Sequence, residues 1–186
     1  MSAEDEIRRV VIRVVDRVLA DADGRSEAIA IGCDHGGFRL KELLKTHLES
    51  RGNTVVDCGT SSVESVDYPD FAHAAARLVG TGSCRNGIII DGAGIGSAMV
   101  ANKVPGVRAA LCYDLSSARN SREHNHANVL TLGAGLVGDS LARQIVDEWL
   151  ATPWGPGRHA ARVEKITAVE RRYSTGDEPG ARHDRS

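Results

Sequence analysis

The period of the apolar positions changes along the chain, and each change marks an element. Over residues 4–20, Ile7, Val10, Val11, Val14, Val15, Val18 and Leu19 recur at helical spacing, while Arg8, Arg9, Arg13, Asp16 and Arg17 lie elsewhere; this predicts an amphipathic helix. Asp21-Ala-Asp-Gly-Arg-Ser reads as a linker. Beyond it, short apolar runs alternate with helical patterns. Strands are predicted over 28–33, 54–58, 87–90, 107–112 and 129–132, and helices over 38–50, 71–79, 97–103, 115–124, 139–150 and 158–172. In the helix over 38–50, Leu40, Leu43, Leu44 and His47 share one face. Strands separated by helices predict an α/β sandwich around a five-stranded parallel sheet. The chain divides into residues 1–27 (helix and linker), a domain over 28–173, and a polar tail over 174–186 that reads as disordered.

The run Ile88-Ile89-Ile90-Asp91-Gly92-Ala93-Gly94-Ile95-Gly96-Ser97 concentrates the chemistry. Three β-branched residues end in a carboxylate, and a glycine-rich turn opens a helix. Glycines admit a ligand close to the backbone, and the free N–H groups of a first helical turn favour negative charge. Two readings of Asp91 stand side by side: a carboxylate that accepts hydrogen bonds from its own loop, and a general base.

Composition narrows the partners. A net charge of −2 and an aromatic content of 4% argue against a nucleic-acid surface. No apolar run reaches membrane-spanning length, and the N-terminus lacks a signal-peptide pattern. Cys33, Cys58, Cys84 and Cys112 are widely spaced, which suits reduced buried thiols in a cytoplasmic protein better than disulfides or a metal site.

Other polar groups gather where strands end. Asp34 and His35 close the first strand, and here an N-cap and a site that moves a proton and orients ligand hydroxyls are equal readings. Arg122 to Asn128 places His124, Asn125 and His126 between a helix and the fifth strand; mixed donors and acceptors suit sugar hydroxyls, whereas His126 alone reads as part of a capping turn. Arg158 and Arg162, at i, i+4 with His159 beside them, form either a phosphate clamp or a solvated basic face. A dinucleotide site is the rival for the glycine loop. The glycines of Gly92-x-Gly94-x-Gly96 miss the G-x-G-x-x-G spacing, although Asp114 lies about twenty residues on.

Taken together, the strings Ile31-Gly-Cys-Asp-His-Gly-Gly-Phe, Asp67-Tyr-Pro-Asp-Phe, Gly92-Ala-Gly-Ile-Gly, Ala101-Asn-Lys-Val-Pro-Gly-Val-Arg-Ala-Ala-Leu-Cys, Arg122-Glu-His-Asn, Ala127-Asn-Val-Leu and Gly157-Arg-His resemble the ribose-5-phosphate isomerase type B family, which includes galactose-6-phosphate isomerase subunits. The resemblance covers about residues 28–172. It implies a Rossmann-like three-layer α/β/α fold, aldose–ketose isomerisation of a sugar phosphate through a cis-enediolate, and no metal or organic cofactor. It further implies a homodimer or dimer of dimers with active sites shared between subunits. His35 and His124 would serve ring opening, Asp34 and Asn125 would hold sugar oxygens, and Tyr68 would line the pocket. The N–H groups of Gly92, Ala93, Gly94 and Gly96 would stabilise the enediolate oxygen. Arg158, His159 and Arg162 would face the phosphate.

The chain departs from that pattern where many members carry a cysteine base, here Asp91. A subgroup uses a glutamate where Ser97 stands, a Thr or Ser is replaced by Ala93, and a phosphate-binding arginine by Gly135. Asp91 is left as the acid–base group, with a non-catalytic sugar-phosphate binder, or a subunit needing a partner chain, as the alternative. Residues 1–20 resemble peptides that recruit enzymes to bacterial microcompartment shells; a helix packed on its own domain or across the dimer is the other reading.

Overall fold

The computed structural model describes residues 27–174, so the helix expected over 4–20 and nearly all of the tail lie outside it. Five parallel strands, β1 (Ile29–Cys33), β2 (Val55–Asp57), β3 (Asn86–Asp91), β4 (Ala109–Leu111) and β5 (Val129–Gly133), form one sheet in the order β2-β1-β3-β5-β4. The helices are α1 (Phe38–Ser50), α2 (Tyr68–Gly80), α3 (Ile95–Ala101), α4 (Leu115–Glu123), α5 (Asp139–Ala151) and α6 (Ala160–Ser174).

The alternation of β-side chains builds three layers. Ile29, Ile31, Ile88, Ile90, Leu130 and Leu132 face α1, α4 and α5, packing on Leu44, Leu48, Ala118, Ile145 and Trp149. Ala28, Ala30, Ile89 and Val129 face the other way, onto Ala72, Ala75, Leu78 and Val79 of α2 and Ala101 of α3. Both faces of the central strands are therefore apolar, which is why they read as continuous runs rather than alternating ones. Glycines set the close approaches. A Cβ at Gly37 would lie 2.4 Å from the carbonyl oxygen of Ile90, so only glycine lets the start of α1 sit on β3.

Several boundaries differ from the sequence expectation. Helix α2 starts at Tyr68 rather than residue 71, because Pro69 occupies the first turn, where its missing N–H costs nothing. Strand β3 reaches Asp91. The last helix splits into a 3-10 turn (Gly157–His159) and α6, so Arg158 and Arg162 do not share one regular helix as expected. All four cysteines are free and buried, and burial pushes the Cys33 and Cys58 thiols up to about 12.

Candidate active site

Strand order reverses between β1 and β3, and the crevice beyond the carboxyl ends at such a reversal is where parallel sheets bind ligands. Cys33 pairs in register with Ile90, so the segments that follow β1 and β3 leave the sheet side by side. Asp34 is buried, and its Oδ1 accepts the Gly37 N–H at 3.0 Å. The cap reading of Asp34 is thus realised on Oδ1, while Oδ2 lies 4.0 Å from His35 Nδ1. His35 Nδ1 also lies 3.2 Å from both the N–H and the carbonyl of Val66, which ties His35 to the segment leading into Tyr68. The Tyr68 ring covers the glycine loop: a Cβ at Gly96 would meet that ring at 2.6 Å.

Asp91 lies on the same side of β3 as Ile89, and its carboxylate turns towards the start of α3. Oδ1 accepts the N–H groups of Ala93 (2.8 Å) and Gly94, and Oδ2 accepts that of Ser97 at 3.0 Å. Only 6% of Asp91 is exposed. Two of the N–H groups expected to face a ligand, those of Ala93 and Gly94, are therefore spent on Asp91. The N–H groups of Gly92, Ile95 and Gly96 have no acceptor among the described residues. Oδ2 accepts one hydrogen bond and keeps a lone pair.

Two contacts that the sequence did not show hold the loop. Tyr113, just beyond β4, donates its hydroxyl to the Ala93 carbonyl at 2.9 Å, and the Gly135 N–H donates to the Gly92 carbonyl at 3.0 Å. Tyr113, like Asp34, follows a strand end, and Asp91 closes one; that placement was the only legible signal of Tyr113. Gly94 has a φ of +77°, and a Cβ there would lie 2.5 Å from Leu111 Cδ1 and 2.8 Å from the Leu132 carbonyl carbon. Gly94→Ala is expected to cost about 3 kcal/mol, read as a lowered Tm. Gly92→Ala, which meets nothing within 4 Å, is the contrasting substitution and leaves Tm close to that of the parent protein.

A second group of expected residues collects at the other end of the sheet. Helix α4 runs back from the carboxyl end of β4, so His124, its C-cap, reaches the amino end of β5. His124 stacks on His159 with ring centroids 4.2 Å apart, and its Nδ1 lies 2.9 Å from Asn120 Nδ2. Arg158 Nε lies 3.5 Å from His159 Nε2. Desolvation, then the charges of His124, Arg158 and Arg162, hold the His159 imidazole below its ordinary pKa. Asn125 and both arginines are exposed. The length of β5, about 17 Å for its residues, separates this group from Asp91.

Residues 29–166 match the ribose/galactose isomerase family. The chain belongs to that family. The family's relatives include ribose-5-phosphate isomerase B of Escherichia coli (strain K12), 49% identical over 77% of this chain and 97% of the relative. D-erythrulose-4-phosphate isomerase of Pectobacterium atrosepticum is 40% identical over 77% of this chain and 95% of its own length. Among solved structures, the family's ribose-5-phosphate isomerase B from Clostridium thermocellum superimposes with a TM-score of 0.77 at 51% identity, covering 78% of this chain and 99% of that one. The sheet described above is the family's fold.

Proposed function

We propose that the protein interconverts an aldose phosphate and its ketose phosphate, with Asp91 as the base and with each active site completed by a second copy of the chain. The observation that carries the mechanism is the meeting, at the strand-order reversal, of Asp34, His35, Tyr68 and a carboxylate ringed by loop N–H groups. Relatives named for isomerisation of ribose 5-phosphate and of erythrulose 4-phosphate support the reaction class. The protein is an aldose–ketose isomerase acting on a phosphorylated sugar.

In the proposed reaction, Asp91 Oδ2 takes the proton from the carbon beside the carbonyl. Negative charge then develops on the enediolate oxygen, where the free N–H groups of Gly92, Ile95 and Gly96 can hold it. The same carboxyl returns the proton to the neighbouring carbon. Asp34 Oδ2 and the His35 ring face sugar hydroxyls. Where the resemblance expects a phosphate-binding arginine the chain has Gly135, which contributes only its N–H. Exposed Arg162 and Arg158 lie with the stacked histidines at the opposite end, and a symmetric pairing of two chains would bring one end to the other. Exposed Ile95, Met99 and Leu136 around the loop supply the apolar surface that such pairing covers.

The test is turnover by the purified protein with aldose and ketose phosphates of four, five and six carbons. Conversion of at least one pair in both directions is the expected outcome. Binding of these sugars without conversion of any would overturn the reading.

A further inference from the structure

A cavity of about 790 Å³ opens at the amino end of the sheet, bordered by Arg85, Arg108, Arg122, His126 and Asn128. None of Asp91, His124, Arg158, His159 or Arg162 lines it, so it is distinct from both halves of the isomerase site. Its volume falls within the range of about 300–1,000 Å³ common to small-molecule sites.

The chemistry of its walls is one-sided. Arg122 is only 9% exposed; one Nη donates to the Ala127 carbonyl at 2.5 Å and the guanidinium lies 4.6 Å over the Trp149 ring, but Nε has no partner among the described residues. Arg108 uses Nε on the His126 carbonyl at 2.8 Å, and no carboxylate lies within salt-bridge distance of Arg108 or Arg122 among the described residues. Glu27 is the one carboxylate on the cavity's wall, and it pairs with Arg85. His126 adopts a φ of +51°, and its ring stacks on Trp154 at 4.1 Å. Desolvation, then the charges of Arg108 and Arg122, lower the His126 pKa, and Glu170, which accepts the Gly106 N–H, acts on Arg108 only from beyond salt-bridge distance. Arg122 is buried and Arg108 half-buried, and a buried guanidinium with no carboxylate in contact is costly unless an anion completes it. Planar forks of N–H donors match a phosphate's oxygens.

We propose that this cavity binds a phosphate-bearing small molecule, held by Arg108 and Arg122 with Arg85 at the rim. The binding is separate from the catalytic phosphate contacts.

Intrinsic fluorescence tests this directly, because the chain has 2 tryptophans and both touch the cavity's walls, Trp149 under Arg122 and Trp154 on His126. Pyrophosphate is titrated into the full-length protein at constant ionic strength. A saturable change is expected, with half-saturation raised about tenfold or more in Arg108→Gln and in Arg85→Glu, and unchanged in the Arg158→Gln, Arg162→Gln double variant. Arg85 has an exposed side chain, so its variant keeps the test valid if Arg108→Gln unfolds. Absence of a saturable change in the parent protein overturns the proposal. So does a signal that survives Arg108→Gln and Arg85→Glu but vanishes in the double variant, since pyrophosphate would then be reporting the catalytic cations.

Discussion

Asp91→Asn is expected to lower kcat by about 10²–10⁴-fold, the usual contribution of a positioned acid–base group. The argument starts from the two carboxylate oxygens. Oδ1 is fully used by Ala93 and Gly94, so proton transfer falls to Oδ2, which holds only the Ser97 N–H. An asparagine keeps one oxygen and turns an NH2 group towards at least one loop donor. A buried N–H without an acceptor costs about 1–3 kcal/mol, so the variant also loosens the loop. The two effects separate in measurement. Loss of the base removes kcat and the exchange of the substrate's carbon-bound proton with solvent. Loss of loop order alone raises KM and lowers Tm. A kcat within about threefold of the parent, together with a lowered Tm, would leave Asp91 as a loop anchor and nothing more.

Much of this arrangement could be read from the residues, for reasons that differ by level. The strands announced themselves because both faces of the sheet are covered, making Ile88, Ile89 and Ile90 apolar without alternation. Asp34 and Asp91 were identifiable because parallel sheets place strand ends at the ligand crevice. What escaped reading depended on three-dimensional direction. Spacing does not say that Asp91 turns back and consumes the Ala93 and Gly94 N–H groups, nor that Tyr113 fastens the loop from a strand two places away in the sheet. His126 read as a capping residue, and its left-handed backbone and its stack on Trp154 have no signature in a single sequence. Arg158 and Arg162 kept helical spacing, yet Pro156 and Gly157, whose φ is +22°, begin the segment as a 3-10 turn.

Mixing two inactive variants is expected to restore activity. Asp91 and His124 lie at opposite ends of a parallel sheet, and no rotation of a side chain spans the length of β5. If each site takes Asp91 from one chain and His124 from another, Asp91→Asn and His124→Asn each damage every site of their own homodimer. A mixed dimer has one site carrying both substitutions and one carrying neither. Random exchange of subunits at equal concentration makes half the dimers mixed, so activity returns to about a quarter of the parent value. Refolding or prolonged co-incubation of the two proteins, followed by the isomerase assay, measures this. Activity that stays at the level of the separate variants, while size-exclusion or native mass analysis shows that subunits have exchanged, would place both groups in sites made by a single chain. It would also remove the need for a partner at the loop end, even if Asp91 itself proved to be the base.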